Sequence, residues 1–235
     1  MRVLAIDTAT TDLVTGVVDT ATDNIIDGVV SDTRAHNEQL VPTVEHVLDD
    51  AHLTFAGLDA VVVGCGPGPF TGLRVGMATG QAIAQARGIP CYGVCSHDAM
   101  AAQVFAAVAK DVRRVLIASD ARRKEMYFAV YERSADGRVN RVAGPSVVKP
   151  EDFATDSEID AVFAPAPIGE RLSEGLRERV VGEVTPRAAQ LVAAADLDAA
   201  PKGPLEPYYL RRPDAKEPPA VRPSVALTHK SDGDA

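Results

Sequence analysis

The sequence has no tryptophan, few aromatic residues, and no apolar run near the roughly 20 residues that a membrane helix needs. Aromatic residues make up 5% of the 235 residues and apolar residues 46%, so valine, alanine, leucine and isoleucine have to form the core. The apolar run at 2–6 is too short for the apolar region of a signal peptide. These absences predict a cytoplasmic globular protein without membrane contact.

Cysteine and metal-binding patterns are also scarce. The three cysteines, Cys65, Cys91 and Cys95, are odd in number and show no CxxC spacing, which argues against a disulfide framework. Five histidines are present but no HExxH pattern occurs, so the sequence predicts no metal site of this chain's own.

The charge balance is acidic. Thirty-three Asp and Glu residues against 24 Lys and Arg give a formal net charge of −9. A field of that sign repels a phosphate backbone, so we expect contact with nucleic acid to be indirect at most. The one dense basic cluster, Arg122-Arg123-Lys124, is typical of a solvated loop, although a phosphate contact remains open.

Apolar periodicity predicts the same order of elements twice. The first half reads as strands at 2–7, 13–19 and 24–31, a helix at 37–52, a strand at 59–65, a helix at 72–86, a strand at 91–94 and a helix at 96–109. The second half reads as strands at 114–120, 125–133 and 139–148, a short helix at 150–153, a strand at 160–164 and a helix at 168–179. A duplicated βββαβα unit predicts an α/β, actin-like (ASKHA, ribonuclease H-like) fold.

The domain prediction follows from this repeat. Residues 1–110 are expected to form an N-terminal actin-like subdomain, and residues 111–212 a less regular C-terminal one. Residues 213–235 are rich in proline and polar residues and bury little apolar surface, so we predict a disordered tail there.

An acidic turn ends the first strand of each half. Asp7, Thr8 and Thr10 follow the first strand and Asp120 ends the corresponding strand of the second half, which in a phosphate-handling fold places carboxylates and hydroxyls near a nucleotide. The alternative is a polar turn in which Asp and Thr bond to their own backbone.

A glycine-rich loop leads into the helix at 72–86. Residues 64–74 read GCGPGPFTGLR and lack the Lys-Ser/Thr ending of a P-loop. The loop either binds an anion at the helix start or only shapes a tight turn with Thr71 as N-cap.

Small residues recur every four positions along that helix, at Gly72, Gly76, Gly80, Ala84 and Gly88. Each interior glycine costs a helix about 1 kcal/mol relative to alanine, so close approach of another backbone is the expected compensation. One interpretation is packing within the chain; the other is a docking face for a second subunit. The predicted partner interface consists of Gly72, Leu73, Gly76, Met77, Gly80 and Ala84.

Four segments together resemble the TsaB (YeaZ) family. They are LAIDTAT at 4–10, GPGPFTGLRVGMATGQAIA at 66–84, DARRKEMYFAVY at 120–131 and EPYYLR at 206–211. The resemblance runs from residue 1 to about residue 212, and the GPG-x-FTGLR-x-G block is its most discriminating part.

The resemblance implies a non-catalytic scaffold. TsaB-like subunits pair, through helices of their N-terminal half, with the catalytic paralogue TsaD, which adds threonylcarbamoyl to adenosine 37 of ANN-decoding tRNAs. The ATPase TsaE docks on that pair, and the isolated subunit often forms a homodimer. ATP and the metal belong to the partner complex; in the helix near His36, Leu40 replaces the paralogue's second metal-binding histidine.

Two alternatives stay open. One is an actin-like ATPase or kinase that uses Asp7 and Asp120, although the stretches 120–123 and 164–167 lack the glycines that allow a nucleotide to approach closely. The other is a metallopeptidase, for which the sequence offers no ligands.

Overall fold

A computed structural model describes residues 1–201 and 203–210, which form two five-stranded sheets. The first sheet has the strand order β3 (Asn24–Val30), β2 (Leu13–Asp19), β1 (Arg2–Asp7), β4 (Ala60–Gly64) and β5 (Cys91–Val94). The second has the order β10 (Val180–Gly182), β9 (Ala161–Phe163), β6 (Arg114–Asp120), β7 (Met126–Arg133) and β8 (Val139–Val148). In each sheet the first three strands pair antiparallel, the fourth pairs in parallel with the first, and the fifth pairs in parallel with the fourth. The two sheets therefore repeat one plan, and the predicted duplicated actin-like α/β fold in two subdomains is confirmed.

The first lobe contains β1 Arg2–Asp7, β2 Leu13–Asp19, β3 Asn24–Val30, α1 His36–Asp50, β4 Ala60–Gly64, α2 Phe70–Arg87, β5 Cys91–Val94 and α3 Ser96–Ala107. The remaining elements are β6 Arg114–Asp120, β7 Met126–Arg133, β8 Val139–Val148, β9 Ala161–Phe163, α4 Ala166–Gly169, α5 Glu174–Arg177, β10 Val180–Gly182 and α6 Ala188–Ala193. Short 3₁₀ turns lie at Phe55–Gly57 and Pro150–Asp152.

The two central strands of the first sheet are buried on both faces. Leu4 and Ile6 of β1 point into the core that α1 and α2 cover, while Val3 and Ala5 point into the core on the other face. A strand covered on both faces reads as a continuous apolar run, which is why these strands are recognisable in the sequence.

The last third of the chain departs from the prediction. The helix expected at 168–179 is two four-residue helices, α4 and α5, with Leu172 and Ser173 between them. Strand β10 and helix α6 are absent from the prediction, because three and six residues are too few for apolar periodicity to show.

The end of the predicted second subdomain, residues 111–212, packs on the first sheet. Leu191 of α6 packs in the same core cluster as Val3 and Val14 of the first sheet. Leu205 and Tyr208 pack against the core under α1 and α2. The chain thus returns to the first lobe after β10. The predicted disordered tail at 213–235 lies outside the described residues.

Helix α3 joins the two lobes through an apolar contact. Met100 and Val104 of α3 share a core cluster with Val115 and Ile117 of β6 and with Tyr131 of β7. All five side chains are buried, and Ala99 of α3 packs in the core of the first sheet, so α3 contributes to a core of each lobe.

Polar contacts reinforce this junction. The Tyr131 hydroxyl donates a 2.7 Å hydrogen bond to Asp98 of α3, and Arg141 of β8 lies 2.9 Å from the same carboxylate oxygen. His97 Nε2 lies 2.9 Å from Ser119 Oγ across the lobes. Burial lowers the pKa of His97 to about 3, so this imidazole is neutral.

No helix within residues 1–201 and 203–210 has the length and apolar character to span a membrane.

Candidate functional site

Asp7, the acid that ends β1, is sealed inside the first lobe. Its Oδ1 accepts a 2.8 Å hydrogen bond from the Ala9 N–H, and its Oδ2 accepts a 2.6 Å bond from the Ser96 hydroxyl. The side chain is 0% exposed, and a Cβ at Gly64 would overlap Oδ2. Burial raises the pKa of Asp7 to about 6. Both carboxylate oxygens are thus committed, and no nucleotide reaches them.

The hydroxyls of the same turn are also bonded within the chain. The Thr8 hydroxyl donates a 2.7 Å bond to the Gly72 carbonyl, and Thr8 is 1% exposed. Thr10 Oγ1 accepts a 3.2 Å bond from the Asp12 N–H in its own turn. The self-bonded polar turn thus describes Thr10, whereas Thr8 is bonded to the backbone of α2.

Asp120 does not face Asp7. Asp120 accepts a 2.7 Å bond from the Arg122 N–H and forms an ion pair with the Arg122 guanidinium. It lines a cleft between the lobes together with Thr10, Pro69 and Pro165. That cleft encloses about 30 Å³, room for one or two water molecules. Of the predicted nucleotide set, the structure brings Thr10 and Asp120 together and leaves Asp7 and Thr8 buried elsewhere.

The fold implies a nucleotide between the lobes, but the residues here do not fit one. Pro69 and Pro165 line the small cleft between the lobes. The side chain of Asp7, which would have to face a metal-bound phosphate, is instead buried inside the first lobe. We therefore derive no chemical step through a nucleotide in this chain.

The glycine-rich loop between β4 and α2 allows close packing of the backbone. Gly66 has φ +95°, and a Cβ at Gly68 would overlap the Ala9 carbonyl. The Ser96 N–H donates a 2.8 Å bond to the Gly66 carbonyl, and the Gly66 N–H donates a 3.2 Å bond to Ser96 Oγ. Thr71 does not cap α2, which begins at Phe70.

Ser96 is the residue that sequence reasoning missed here. Its hydroxyl joins the end of β1 to the glycine-rich loop by donating to Asp7 and accepting from Gly66. A Ser before a helix predicts an N-cap, but Ser96 makes no capping bond. Only the three-dimensional proximity of Asp7 reveals its role.

The small-residue stripe of α2 faces the chain's own sheet, which favours packing within the chain over the predicted docking face at these residues. A Cβ at Gly76 would overlap Thr8 Oγ1, and a Cβ at Gly80 would overlap Val63. A Cβ at Gly72 would lie 2.5 Å from the Thr8 carbonyl oxygen. Leu73, Met77 and Ala84 of the predicted interface are buried in the same core. The stripe lets α2 lie close on β1 and β4.

The opposite side of α2 does offer an accessible surface. A shallow groove of about 400 Å³ runs between α1 and α2, and we call it the α1–α2 groove. It is lined by Val41, Val44, Phe55, Ala78, Thr79, Ala82 and Ile83. Val41 is 45% exposed, and the small side chains of Ala78 and Ala82 leave the groove open. The sequence signal for this groove was Val41, an apolar residue on the otherwise polar, exposed face of α1.

A second exposed feature lies where α2 begins. The rings of Phe70 and Tyr209 have centroids 4.9 Å apart, and the Arg74 guanidinium lies 3.6 Å above the Phe70 ring. Arg74 Nε also donates a 3.3 Å bond to the Tyr209 hydroxyl. We call these three residues the Phe70 cluster. It joins two of the motif segments, FTGLR and EPYYLR, in space.

Metal and thiol chemistry find no support in the described ranges, 1–201 and 203–210. No group of three or more His, Cys, Asp or Glu side chains there is placed to hold a metal ion. Burial raises the thiol pKa to about 12 for Cys65, about 11 for Cys91 and about 12 for Cys95. Such thiols stay protonated and unreactive at neutral pH.

Comparison with known proteins places this geometry in a family. The family model described as "TsaD: tRNA N6-adenosine threonylcarbamoyltransferase" matches residues 20–196. An uncharacterized protein of Mycobacterium tuberculosis is 46% identical over 215 residues, which is 91% of this chain and 93% of that protein. The tRNA threonylcarbamoyladenosine biosynthesis protein TsaB of Escherichia coli is 33% identical over 151 residues, 64% of each chain.

A solved structure gives the same result. YeaZ from Pseudomonas aeruginosa superposes with a TM-score of 0.72 and 26% identity, over 89% of this chain and 99% of that one. With the family-model match and the TsaB relatives, this superposition shows that the chain belongs to the TsaD family of threonylcarbamoyltransferase-like proteins, in its TsaB (YeaZ) group.

Proposed function

We propose that this chain is an accessory subunit in the synthesis of threonylcarbamoyladenosine in tRNA and contributes a docking surface rather than chemistry. Its relatives in Escherichia coli and Haemophilus influenzae, which are tRNA threonylcarbamoyladenosine biosynthesis proteins TsaB, support the pathway. The observation that carries the accessory role is the burial of Asp7: this carboxylate, which ends the first strand of the fold, is 0% exposed and hydrogen-bonded on both oxygens.

The partner we propose is a TsaD-like catalytic subunit, which docks in the α1–α2 groove. The groove is apolar along its floor, and exposed acids of α1, Glu38, Glu45 and Asp49, flank it. A contiguous apolar patch with a polar rim is the usual anatomy of a protein interface. A TsaE-like ATPase is recruited to the resulting pair, and the same groove supports a homodimer when the chain is alone. ATP and the metal are supplied by the partners.

Reconstitution tests the proposal. Purified TsaD-like and TsaE-like proteins, with the enzyme that makes threonylcarbamoyl-adenylate, should modify tRNA only when this chain is added. Modification that proceeds at the same rate without the chain would contradict the accessory role.

Ala82→Arg should block pairing. A guanidinium in the floor of the groove places a charge where the partner's apolar surface would lie, so we expect the affinity for the TsaD-like subunit to fall by about 100-fold or more. Isothermal calorimetry measures the affinity. Ala106→Arg is the matched control, because Ala106 is an exposed alanine on a different helix, α3. Equal pairing by both variants would rule out the groove.

The isolated chain should not bind Mg-ATP. The interlobe cleft holds about 30 Å³, far below the several hundred Å³ of a nucleotide-sized pocket. The recess of about 420 Å³ that Asp120 also lines is formed by residues of the second lobe alone and lacks Thr10 and Pro69 of the first. Calorimetry with Mg-ATP on the purified chain should show only the heat of dilution. Saturable binding that Asp120→Ala abolishes would instead support the ATPase alternative.

A further inference from the structure

The Phe70 cluster is ordered before any partner is present. Stacking on the Phe70 ring and the bond from Arg74 Nε to the Tyr209 hydroxyl hold all three side chains in one arrangement. Yet Phe70 is 49% exposed and Tyr209 is 44% exposed. The half-exposed rings of Phe70 and Tyr209 and the adjacent Arg74 therefore form a preorganised contact surface. Little side-chain entropy remains to be lost when a partner binds there.

The Arg74 guanidinium has unused donors. Within residues 1–201 and 203–210, only its Nε makes a hydrogen bond, and no acid forms an ion pair with its two terminal nitrogens. Those two nitrogens form the planar fork that matches a carboxylate or a phosphate. The cluster therefore suits an oxyanion flanked by apolar surface.

The charges nearby favour a carboxylate of a protein over a phosphate of RNA. Helix α1, which runs beside α2, exposes Glu38, Glu45, Asp49 and Asp50 and has no Lys or Arg. The whole chain carries a net charge of −9. An RNA backbone brought to this face would meet that repulsive field at every phosphate, whereas an apolar protein surface with a single carboxylate meets it only once.

The cluster is also continuous with the α1–α2 groove. Arg74, Ala78 and Ala82 are spaced four residues apart on the accessible side of α2, so each lies about 6 Å along the helix from the next. A protein bound in the α1–α2 groove would place neighbouring side chains over the Phe70 cluster.

From this we infer that the Phe70 cluster is a second anchor of the pairing surface, which takes a carboxylate and an adjoining apolar side chain of the catalytic subunit. The inference rests on the proposed function, because it assigns more of the same interface. It also gives the segment 205–210 a role in binding, since Tyr209 supplies one wall of the anchor.

The test is pairing of the full-length chain with the TsaD-like subunit. Arg74→Glu and Phe70→Ala should each weaken pairing by about 30-fold or more, the effect of losing a central aromatic or arginine contact. Arg138→Glu is the matched control, because Arg138 is exposed at the tip of the β7–β8 hairpin and should pair normally. Melting temperatures establish that the variants fold.

Salt dependence distinguishes an anchor from a structural role. Arg74→Gln keeps the side-chain stem on the Phe70 ring but removes the charge, so its affinity should vary less with ionic strength than that of the unmodified chain. An unchanged salt dependence would mean that Arg74 meets no carboxylate, and the inference would be overturned.

The remaining outcomes distinguish failure of this inference from failure of the proposed function. Normal pairing by Arg74→Glu and Phe70→Ala, with pairing lost in Ala82→Arg, would overturn the inference and leave the groove intact. Normal pairing with weaker retention of tRNA by the assembled complex would make the cluster an RNA surface, which also overturns it. Failure of the unmodified chain to pair would overturn the proposed function itself.

Discussion

Gly76→Leu should prevent the chain from folding stably. A Cβ at position 76 already overlaps Thr8 Oγ1, and Thr8 is held in place by its bond to the Gly72 carbonyl. Overpacking a close helix–sheet contact costs about 1–3 kcal/mol for small additions, and a whole leucine side chain exceeds that range. We expect the free energy of unfolding in urea to fall by at least about 3 kcal/mol, a large part of a typical domain's stability.

Gly175→Leu is the matched control for this change. Gly175 lies in α5, is exposed, and has no neighbouring atom within 4 Å of the point where a Cβ would lie. Its stability should stay the same or rise slightly, because leucine favours a helix more than glycine does. If Gly76→Leu unfolded at the same urea concentration as the unmodified chain and only lost its partner, α2 would have to sit differently on the sheet.

Asp7→Asn should stabilise the protein at neutral pH. Burial raises the pKa of Asp7 from 3.8 to about 6, so the folded chain holds this proton more tightly than the unfolded chain does. The favourable contribution of the protonated acid is complete below pH 3.8 and is lost as pH rises through about 6. The shift corresponds to about 3 kcal/mol, which a neutral amide would recover at pH 7.5.

Urea titrations at several pH values measure this effect. The unmodified chain should lose stability between about pH 4 and pH 7 relative to Asp7→Asn, and the two curves should converge in acid. Asp49→Asn, an exposed change of the same kind on α1, should leave the profile unaltered. A less stable Asp7→Asn at pH 7.5 would show that the ionised carboxylate has a favourable partner. Reconstituted tRNA modification should persist in Asp7→Asn, since Asp7 touches no substrate.

The sheets were predictable because their signal is local. The sequence of β7 alternates, so Met126 and Val130 are expected on one face and Ala129 and Tyr131 on the other, and the two pairs do lie in different cores. Strand periodicity and turn residues depend only on neighbours in sequence.

The candidate site was predictable only in part, because spacing does not identify what lies opposite. The four-residue repeat of glycines correctly indicated that something approaches α2 closely. It could not tell whether that was Thr8 and Val63 of the same chain or a second protein. Likewise, the hydrogen bond from Ser96 to Asp7 joins residues 89 positions apart and leaves no pattern in the sequence. Contacts of this range depend on the finished fold.

The contacts of helix α3 with both lobes oppose a rotation of one lobe relative to the other. A rotation that separated them would break the bonds of Tyr131 and Arg141 to Asp98 and would expose Met100 and Ile117 to water at the same time. Domain closure around a ligand needs a hinge of a few loop residues, and here a shared core stands in its place. Under the proposed accessory role, the chain would therefore present a partner with a fixed shape, and any opening and closing during tRNA modification would have to arise in that partner.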